Sequence, residues 1–93
     1  MLPYYMNKVT KWQDVSFIVS SNYRKKVLES LENPKTPSKI SKELNINIAH
    51  ISRALNELMD KKLVECLTPN SNKGKLFVIT KRGKEILEES KKL

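Results

Sequence analysis

The sequence predicts a mainly α-helical protein with one small β-hairpin, an α+β fold around a single core. Three observations lead to this fold class. Apolar residues recur at helical spacing through most of the chain, and after residue 62 the pattern changes to two short β-prone segments around a turn. The chain has 93 residues, 39% of them hydrophobic with only 2 Gly and 4 Pro, which suffices for one small domain and excludes a low-complexity chain.

The first 19 residues stand ahead of the main domain, and their pattern is the least regular in the chain. Residues 1–11 show no clean period, so we expect an arm that exposes a small apolar group. This group is Leu2, Tyr4, Tyr5 and Met6. Residues 12–19 fit either a helix or a strand, and we favour a helix. Its apolar face would hold Trp12, Val15, Ile18 and Val19. The predicted division is residues 1–19, an arm and helix with a possible dimerisation role, and residues 20–93, the main domain.

The main domain begins with a helix from about residue 22 to residue 32. The Ser-Ser-Asn run at residues 20–22 offers side-chain oxygens that can cap it, and Asn33-Pro34 ends it because proline disfavours helical geometry in the residue before it. The predicted apolar stripe of this helix is Tyr23, Val27, Leu28 and Leu31.

A short helix and a longer helix follow, joined by a tight turn. Thr36 can cap the short helix, and Pro37 suits its first position, where the missing N–H would have no partner. Asn45 tolerates the left-handed conformation that ends this helix, and Asn47 can cap the next one. The buried stripe of the longer helix would be Ile51, Leu55 and Leu58, with the small Ala54 beside it.

The pattern changes to β-strands after residue 62. Residues 63–68 (LVECLT) and 75–80 (KLFVIT) are β-prone, and the intervening PNSNKG is dense in turn residues. Thr80 can cap a last helix, whose inward residues would be Gly83, Ile86 and Leu87. This order of elements is that of a winged helix-turn-helix, in which the second helix of the turn motif enters the major groove of DNA.

The net charge favours a polyanionic partner. The chain has 18 Lys and Arg against 10 Asp and Glu, a formal net charge of +8. Residues 61–84 hold seven basic residues and one acidic residue, so most of this charge lies around the predicted hairpin. Charge alone fits nucleic acid or a membrane surface, and together with the order of elements it predicts double-stranded DNA. No apolar run approaches the roughly 18 residues that predict a membrane span.

Several short motifs fall within residues 36–67. They are an Ile-small-x-x-Leu pattern at residues 40–44, Ile46 in the turn, Ile-Ser-Arg at residues 51–53 and Leu-Val-Glu at residues 63–65. With FVITKRGKEIL at residues 77–87, this stretch resembles the winged-helix transcription regulators grouped around MarR and ArsR, especially the small archaeal ones. Two positions depart from the pattern: Asn45 replaces the usual turn glycine, and Ser41 replaces a small apolar residue. The resemblance implies a regulator that acts as a homodimer through segments outside the winged core.

The candidate DNA-binding residues follow from this architecture. On the longer helix they lie away from the buried stripe and can reach base edges or phosphates. They are Asn47, Ile48, Ala49, His50, Ser52, Arg53 and Asn56. Ser38 and Lys39 lie at the N-terminus of the short helix, where free N–H groups can bind phosphate. On the wing the candidates are Asn72, Lys73 and Lys75. The alternative for every one of these residues is a solvated polar surface.

The sequence favours neither catalysis nor a cofactor. One Cys and one His cannot complete a metal site within a subunit, and no phosphate loop, nucleophile elbow or catalytic carboxylate pair occurs. The lone Cys66 and the lack of a signal peptide predict a cytoplasmic protein. Two other functions stay open: a winged helix that assembles with other proteins in a transcription or replication complex, and nonspecific coating of nucleic acid, including RNA. A small-molecule effector is not predicted either way.

Overall fold

The structure is a computed structural model that describes the backbone of residues 2–71 and 74–92, and the side chains in those ranges from Lys11 onward. Its elements along this part of the chain are α1 (Leu2–Val19), α2 (Asn22–Ser30), α3 (Pro37–Leu44), α4 (Ile48–Asp60), β1 (Val64–Cys66), β2 (Phe77–Ile79) and α5 (Lys81–Ser90). The predicted fold class, helices with one antiparallel hairpin in a winged helix-turn-helix arrangement, is confirmed. Within the described ranges, no helix is long and apolar enough to cross a membrane.

Helix α1 begins at Leu2, so the arm predicted for residues 1–11 is wrong from residue 2 onward. Residues 1–11 show no regular apolar stripe, but a helix that is already nucleated extends at little cost into such a stretch. The apolar group predicted at residues 2–6 concerns side chains that lie outside the described part of the chain.

Helix α1 packs on the core through a narrower face than the sequence predicted. Val15 and Ile18 are buried as expected, but Trp12 is 60% exposed and Val19 is 41% exposed. At about 100° per residue, the two exposed side chains lie roughly a quarter turn from the centre of the buried face. The stripe predicted from spacing is therefore half wrong.

A buried carboxylate explains this orientation of α1. Asp14 is only 3% exposed and accepts a hydrogen bond from the guanidinium of Arg82, in the first turn of α5. A second pair joins the same two helices, with Lys11 Nζ 3.7 Å from Glu89 Oε1. Because a carboxylate withdrawn from water needs a partner, α1 turns its Asp14 side toward α5, and the two large apolar residues stay at the surface.

One hydrophobic core joins every element. Its buried residues are Val15, Ile18, Val27, Leu28, Leu31, Ile40, Ile51, Ala54, Leu55, Leu58, Leu63, Val64, Phe77, Ile79, Ile86 and Leu87. The inward stripes predicted for α2, α4 and α5 are thus confirmed with one exception. Tyr23 was assigned to the stripe of α2 but is 40% exposed, because it lies in the first turn of that helix, ahead of the part that crosses the core.

The predicted caps of the helix-turn-helix are confirmed. The Thr36 hydroxyl oxygen accepts a hydrogen bond from the Lys39 backbone N–H at 3.2 Å, and Pro37 occupies the first turn of α3. At the start of α4, Asn47 Oδ1 accepts from the Ala49 N–H at 2.8 Å. These bonds satisfy backbone donors that have no partner within their own helices, and so fix where α3 and α4 begin.

The turn between α3 and α4 explains the two departures from the family pattern. Asn45 has φ 55° and ψ 47°, the left-handed conformation that a glycine would adopt most easily and that asparagine tolerates. Ser41 donates its hydroxyl to the Ile46 carbonyl, and the Ile46 N–H donates to the Ser41 carbonyl at 3.1 Å. The serine therefore holds the turn through a hydrogen bond that a small apolar residue would lack.

The wing consists of β1 and β2, with Val64 opposite Ile79 and Cys66 opposite Phe77. Both strands are shorter than predicted but lie within the predicted segments. A third segment adds one bridge that the sequence argument missed: the Lys35 N–H donates to the Phe77 carbonyl at 3.0 Å, and the Phe77 N–H donates back at 2.9 Å. The chain before α3 thereby anchors the base of the wing.

Candidate nucleic-acid interface

Helix α4 has one buried face and one exposed face. Ile51, Ala54, Leu55 and Leu58 are buried in the core. The six candidate residues within this helix are all exposed: Ile48, Ala49, His50, Ser52, Arg53 and Asn56. Their side chains are small, polar or basic apart from Ile48, so this face can offer hydrogen bonds and methyl contacts to a groove of DNA.

The exposed residues occupy three positions around the axis of α4. Taking about 100° per residue, Ala49, Arg53 and Asn56 lie opposite the buried face. Ile48 and Ser52 lie on one flank, and His50 lies on the other, in line with Glu57 and Lys61. The residues opposite the core are the ones that a ligand approaching α4 head-on would meet first.

The remaining candidates lie on α3, at the turn and on the wing. Ser38 and Lys39 are exposed in the first turn of α3, and Lys75 is exposed on the wing. Asn47 is exposed, but its side-chain oxygen is engaged in capping α4, which leaves its amide N–H₂ group for a ligand. Asn72 and Lys73 lie outside the residues that the structure describes.

The flank of α4 that carries His50 contacts the start of α2. The rings of Tyr23 and His50 are stacked, with centroids 4.9 Å apart and an interplanar angle of 19°. Both rings are exposed at the edge of the candidate interface. Sequence reasoning missed Tyr23 because its spacing from Val27 and Leu28 is that of a core residue, and no local signal indicates a partner 27 positions away.

Farther along the same flank, Arg24 of α2 binds Glu57 of α4 through two bonds. Arg24 Nε donates to Glu57 Oε1 at 3.2 Å, and Nη2 donates to Oε2 at 3.1 Å. Both oxygens of the carboxylate are therefore occupied by one guanidinium, the bidentate geometry in which arginine holds carboxylates most firmly. Their side chains are 21% and 36% exposed, so the pair is partly withdrawn from solvent.

Arg24 also binds the end of α1. Its Nη1 donates to the Phe17 carbonyl at 2.9 Å and to the Ser20 hydroxyl at 3.1 Å, and the guanidinium carbon lies 4.0 Å from the centroid of the Phe17 ring. Lys61 is the C-cap residue of α4, and its ammonium nitrogen lies 5.3 Å from the centroid of the same ring. Cations at these distances are attracted to the electron-rich face of an aromatic ring. Arg24 thus joins α1, α2 and α4 at one point.

The charges of this cluster change the pKa of the Glu57 carboxyl. The hydrogen bonds from Arg24 are the main cause that lowers the pKa of the Glu57 carboxyl below its ordinary value of 4.5. The positive charges of Arg24 and Arg53 lower this pKa further, while partial desolvation acts in the opposite direction. Glu57 is consequently a carboxylate at neutral pH, within the electrostatic reach of Arg53.

No cluster of three or more His, Cys, Asp or Glu side chains that could hold a metal ion occurs in the part of the chain that the structure describes. Cys66 is a half-buried free thiol in β1.

A protein-family model described as winged helix-turn-helix matches residues 24–93, and the chain belongs to this family. Solved structures of MarR are similar to the chain. The apo form of MarR from E. coli matches with 26% sequence identity and a TM-score of 0.72, over 98% of this chain and 71% of the MarR chain. A second structure, of the Multiple Antibiotic Resistance Repressor MarR, matches with 27% identity and a TM-score of 0.69, over 95% of this chain and 69% of that chain.

More distant neighbours share the fold. ZitR from Lactococcus lactis has 23% identity and a TM-score of 0.67, over 77% of this chain and 51% of its own. The chain thus spans about half the length of ZitR and about seven tenths of the length of MarR. None of the curated protein sequences compared with the chain matches it. The MarR part of the resemblance noted in the sequence is supported by these structures.

Proposed function

We propose that the protein is a transcription regulator that binds double-stranded DNA in a sequence-specific manner, with α4 in the major groove. The observation that carries this proposal is the exposed face of α4 in a chain that belongs to the winged helix-turn-helix family. A helix fits the major groove of B-DNA, which is about 12 Å wide, and this fold uses the second helix of the turn motif to read it. The similarity to the repressor MarR supports the regulatory role.

The residues opposite the core of α4 are assigned to base reading. Arg53 can donate two hydrogen bonds to a guanine, and the side-chain amide of Asn56 can pair with an adenine. The side chains of Ser52 and His50 can form hydrogen bonds with donors or acceptors on base edges. The nearby Ile48 and Ala49 can contact thymine methyl groups. These assignments follow from side-chain chemistry and from exposure.

Phosphate contacts are assigned to the two ends of the motif. Lys39 and the backbone N–H of Ser38 in the first turn of α3 would bind one backbone, as helix N-termini bind anions. Lys75, together with Lys73 and Asn72 from the turn that the sequence predicts, would bind a neighbouring backbone or the minor groove. Such contacts orient a protein on DNA without reading sequence.

We further propose a cytoplasmic, non-enzymatic homodimer joined through α1. Helix α1 lies outside the residues matched by the family model, and it exposes Trp12 and Val19 on one side. A single recognition helix reads few base pairs, whereas a two-fold dimer doubles the sequence that is read. The ArsR-like and archaeal parts of the resemblance stay predictions, and residues 1–19 are proposed as the dimerisation element.

Selection of bound fragments from a random DNA pool tests the function. We expect enrichment of one sequence, as an inverted repeat with half-sites about 10 base pairs or a multiple of that apart. Competition of the enriched site against bulk DNA then measures specificity by fluorescence anisotropy. Uniform binding to all sequences would indicate nonspecific coating, and no binding would favour a protein-assembly role; both results contradict the proposal.

Two variants separate base reading from charge. Arg53→Ala should cost roughly 1–3 kcal/mol on the enriched site and less on random DNA, because a bidentate base contact discriminates by about that amount. The control, Lys92→Ala, removes the same charge from an exposed residue after α5 and should change both affinities equally and slightly. Equal losses for Arg53→Ala on both DNAs would reassign the residue to phosphate.

Sedimentation tests the dimer. The wild-type protein should sediment as a dimer at micromolar concentration, and Trp12→Ser should shift it toward the monomer, because the side chain is exposed in a single chain. The variant should also lose the preference for the repeat over a lone half-site. A wild-type monomer that binds a half-site as well as the repeat contradicts the homodimer.

A further inference from the structure

Two oppositely charged residues on α4 stand at the spacing that favours a pair on the helix surface. Arg53 and Glu57 are four residues apart, and side chains at this spacing are neighbours on one side of a helix. Nevertheless, Arg53 makes no hydrogen bond or ion pair with any residue that the structure describes. The partner within its reach is occupied from the other side, by Arg24.

Arg24 has the advantage in this competition because it is held in place before it meets the carboxylate. The Phe17 carbonyl, the Ser20 hydroxyl and the Phe17 ring fix its guanidinium, so little side-chain entropy is lost when it binds Glu57. It then satisfies both carboxylate oxygens at once. An exposed arginine on α4 would have to be ordered from solvent to form the same pair, which is worth little at a surface.

We propose that Arg24 is a positioning residue that keeps Arg53 available to DNA by neutralising the charge of Glu57 through bonds to both of its carboxylate oxygens. This inference rests on the proposed function, in which Arg53 contacts DNA. Without Arg24, the Glu57 carboxylate would bind Arg53 and would also present an uncompensated negative charge beside the DNA phosphates. Both effects weaken DNA binding, and both depend on the charge of Glu57.

The location of Arg24 links this control to α1. Its bonds to Phe17 and Ser20 come from the last turn of α1 and the residue that follows it. A displacement of this end of α1 would therefore loosen the guanidinium that holds Glu57. A change in α1, the proposed dimerisation element, would therefore alter how available Arg53 is to DNA.

A set of variants tests the inference on the enriched DNA site. Arg24→Met removes the charge while keeping a long side chain over Phe17. We expect about threefold weaker binding, because a surface ion pair such as Arg53–Glu57 changes an equilibrium by only about 1.5- to fivefold. Glu57→Gln alone should bind as tightly as wild type or up to about twofold tighter. The double variant R24M/E57Q should return to within about twofold of Glu57→Gln, because no carboxylate remains to capture Arg53.

The matched control is Lys26→Met, which removes one positive charge from an exposed position on the same helix. Its effect should be unaltered by Glu57→Gln, since Lys26 does not hold that carboxylate in the described structure. In the Arg53→Ala background there is no Arg53 for Glu57 to bind. Arg24→Met should then weaken DNA binding only through the exposed charge of Glu57, and Glu57→Gln should remove that loss. If Arg53 contacts a phosphate, its capture by Glu57 removes that contact. The slope of log affinity against log salt concentration should then fall in magnitude by about 0.9 in Arg24→Met and recover in the double variant.

The rescue distinguishes this role from a structural one. If Arg24 serves only to pack α1 and α2, R24M/E57Q will bind as weakly as Arg24→Met, and the inference is overturned; wild-type affinity in Arg24→Met overturns it as well. Should Arg24→Met fail to fold, Arg24→Lys provides the same test, because a point charge cannot occupy both oxygens and should give a smaller loss that Glu57→Gln rescues. Absence of DNA binding by the wild-type protein would instead overturn the proposed function itself, and this inference with it.

Discussion

Gly83 is a position at which the smallest possible addition should destabilise the fold. A Cβ at this third residue of α5 would overlap the carbonyl oxygen of Leu63 and lie 2.7 Å from Ile79 Cγ1. The Leu63 oxygen is held in place because it accepts the Thr80 backbone N–H at 3.0 Å. Gly→Ala inside a helix normally stabilises by roughly 0.5–1 kcal/mol, but overpacking against fixed backbone typically costs about 1–3 kcal/mol and sometimes more. Because the overlap is with fixed backbone, the cost lies at the upper end of this range, and after the helix gain we expect Gly83→Ala to lower the free energy of unfolding by about 2 kcal/mol.

Urea denaturation followed by circular dichroism measures this change, and Gly74→Ala is its matched control. Gly74 has no atom within 4 Å of a built Cβ, but its φ of +62° is left-handed, so the same substitution there costs only backbone strain of about 1 kcal/mol. A larger loss at Gly83 than at Gly74 would reflect the steric overlap at α5, because the backbone preference for alanine acts in the opposite direction there. A Gly83→Ala protein as stable as wild type would refute the close packing of α5 on the base of the wing.

Two further predictions concern α4. Leu55→Ala should lower the free energy of unfolding by about 2–5 kcal/mol, since this side chain is 2% exposed in the core, and a Leu55 variant that unfolds like wild type yet fails to bind DNA would contradict the assignment of faces. Because the folded state lowers the pKa of Glu57, its contribution to stability is present above its ordinary value of 4.5 and is lost as the pH falls through the lowered value. The stability gap between wild type and Glu57→Gln should therefore shrink on acidification below about 4.5, and a gap that does not depend on pH would contradict the Arg24 pairing.

The helix-turn-helix was predictable because its signals are local. Thr36, Pro37, Asn45 and Asn47 each act on backbone groups within three residues, so their chemistry is legible from the order of residues alone. The wing was predictable for the same reason, since turn residues separate two β-prone segments. The outward face of α4 followed once its buried stripe was identified.

The features that sequence reasoning missed depend on contacts between distant residues. Asp14 reads as a solvated residue until Arg82, 68 positions later, is placed against it. Arg24 and Glu57 are 33 positions apart, and neither stands in a motif. The spacing of Tyr23 predicts on which side of α2 it lies. It does not show that the core ends before it reaches this residue, which is exposed and stacks on His50. Side-chain pairs across helices therefore decide the orientation of α1 and the availability of residues on α4.

Helix α1 belongs to the core as well as to the proposed dimer, and two truncations separate these roles. Val15 and Ile18 are 1% and 0% exposed, and full burial of such side chains stabilises by about 1.5–3 kcal/mol each. Removing residues 1–19 should therefore cost about 3–6 kcal/mol, against a total of roughly 5–15 kcal/mol for a domain of this kind. Removing residues 1–11 keeps both side chains and the bonds of Arg24 to Phe17 and Ser20, so that chain should unfold cooperatively close to the wild-type midpoint. Urea denaturation of both truncated chains measures the difference, and a chain of residues 20–93 as stable as wild type would show that the main domain folds without α1.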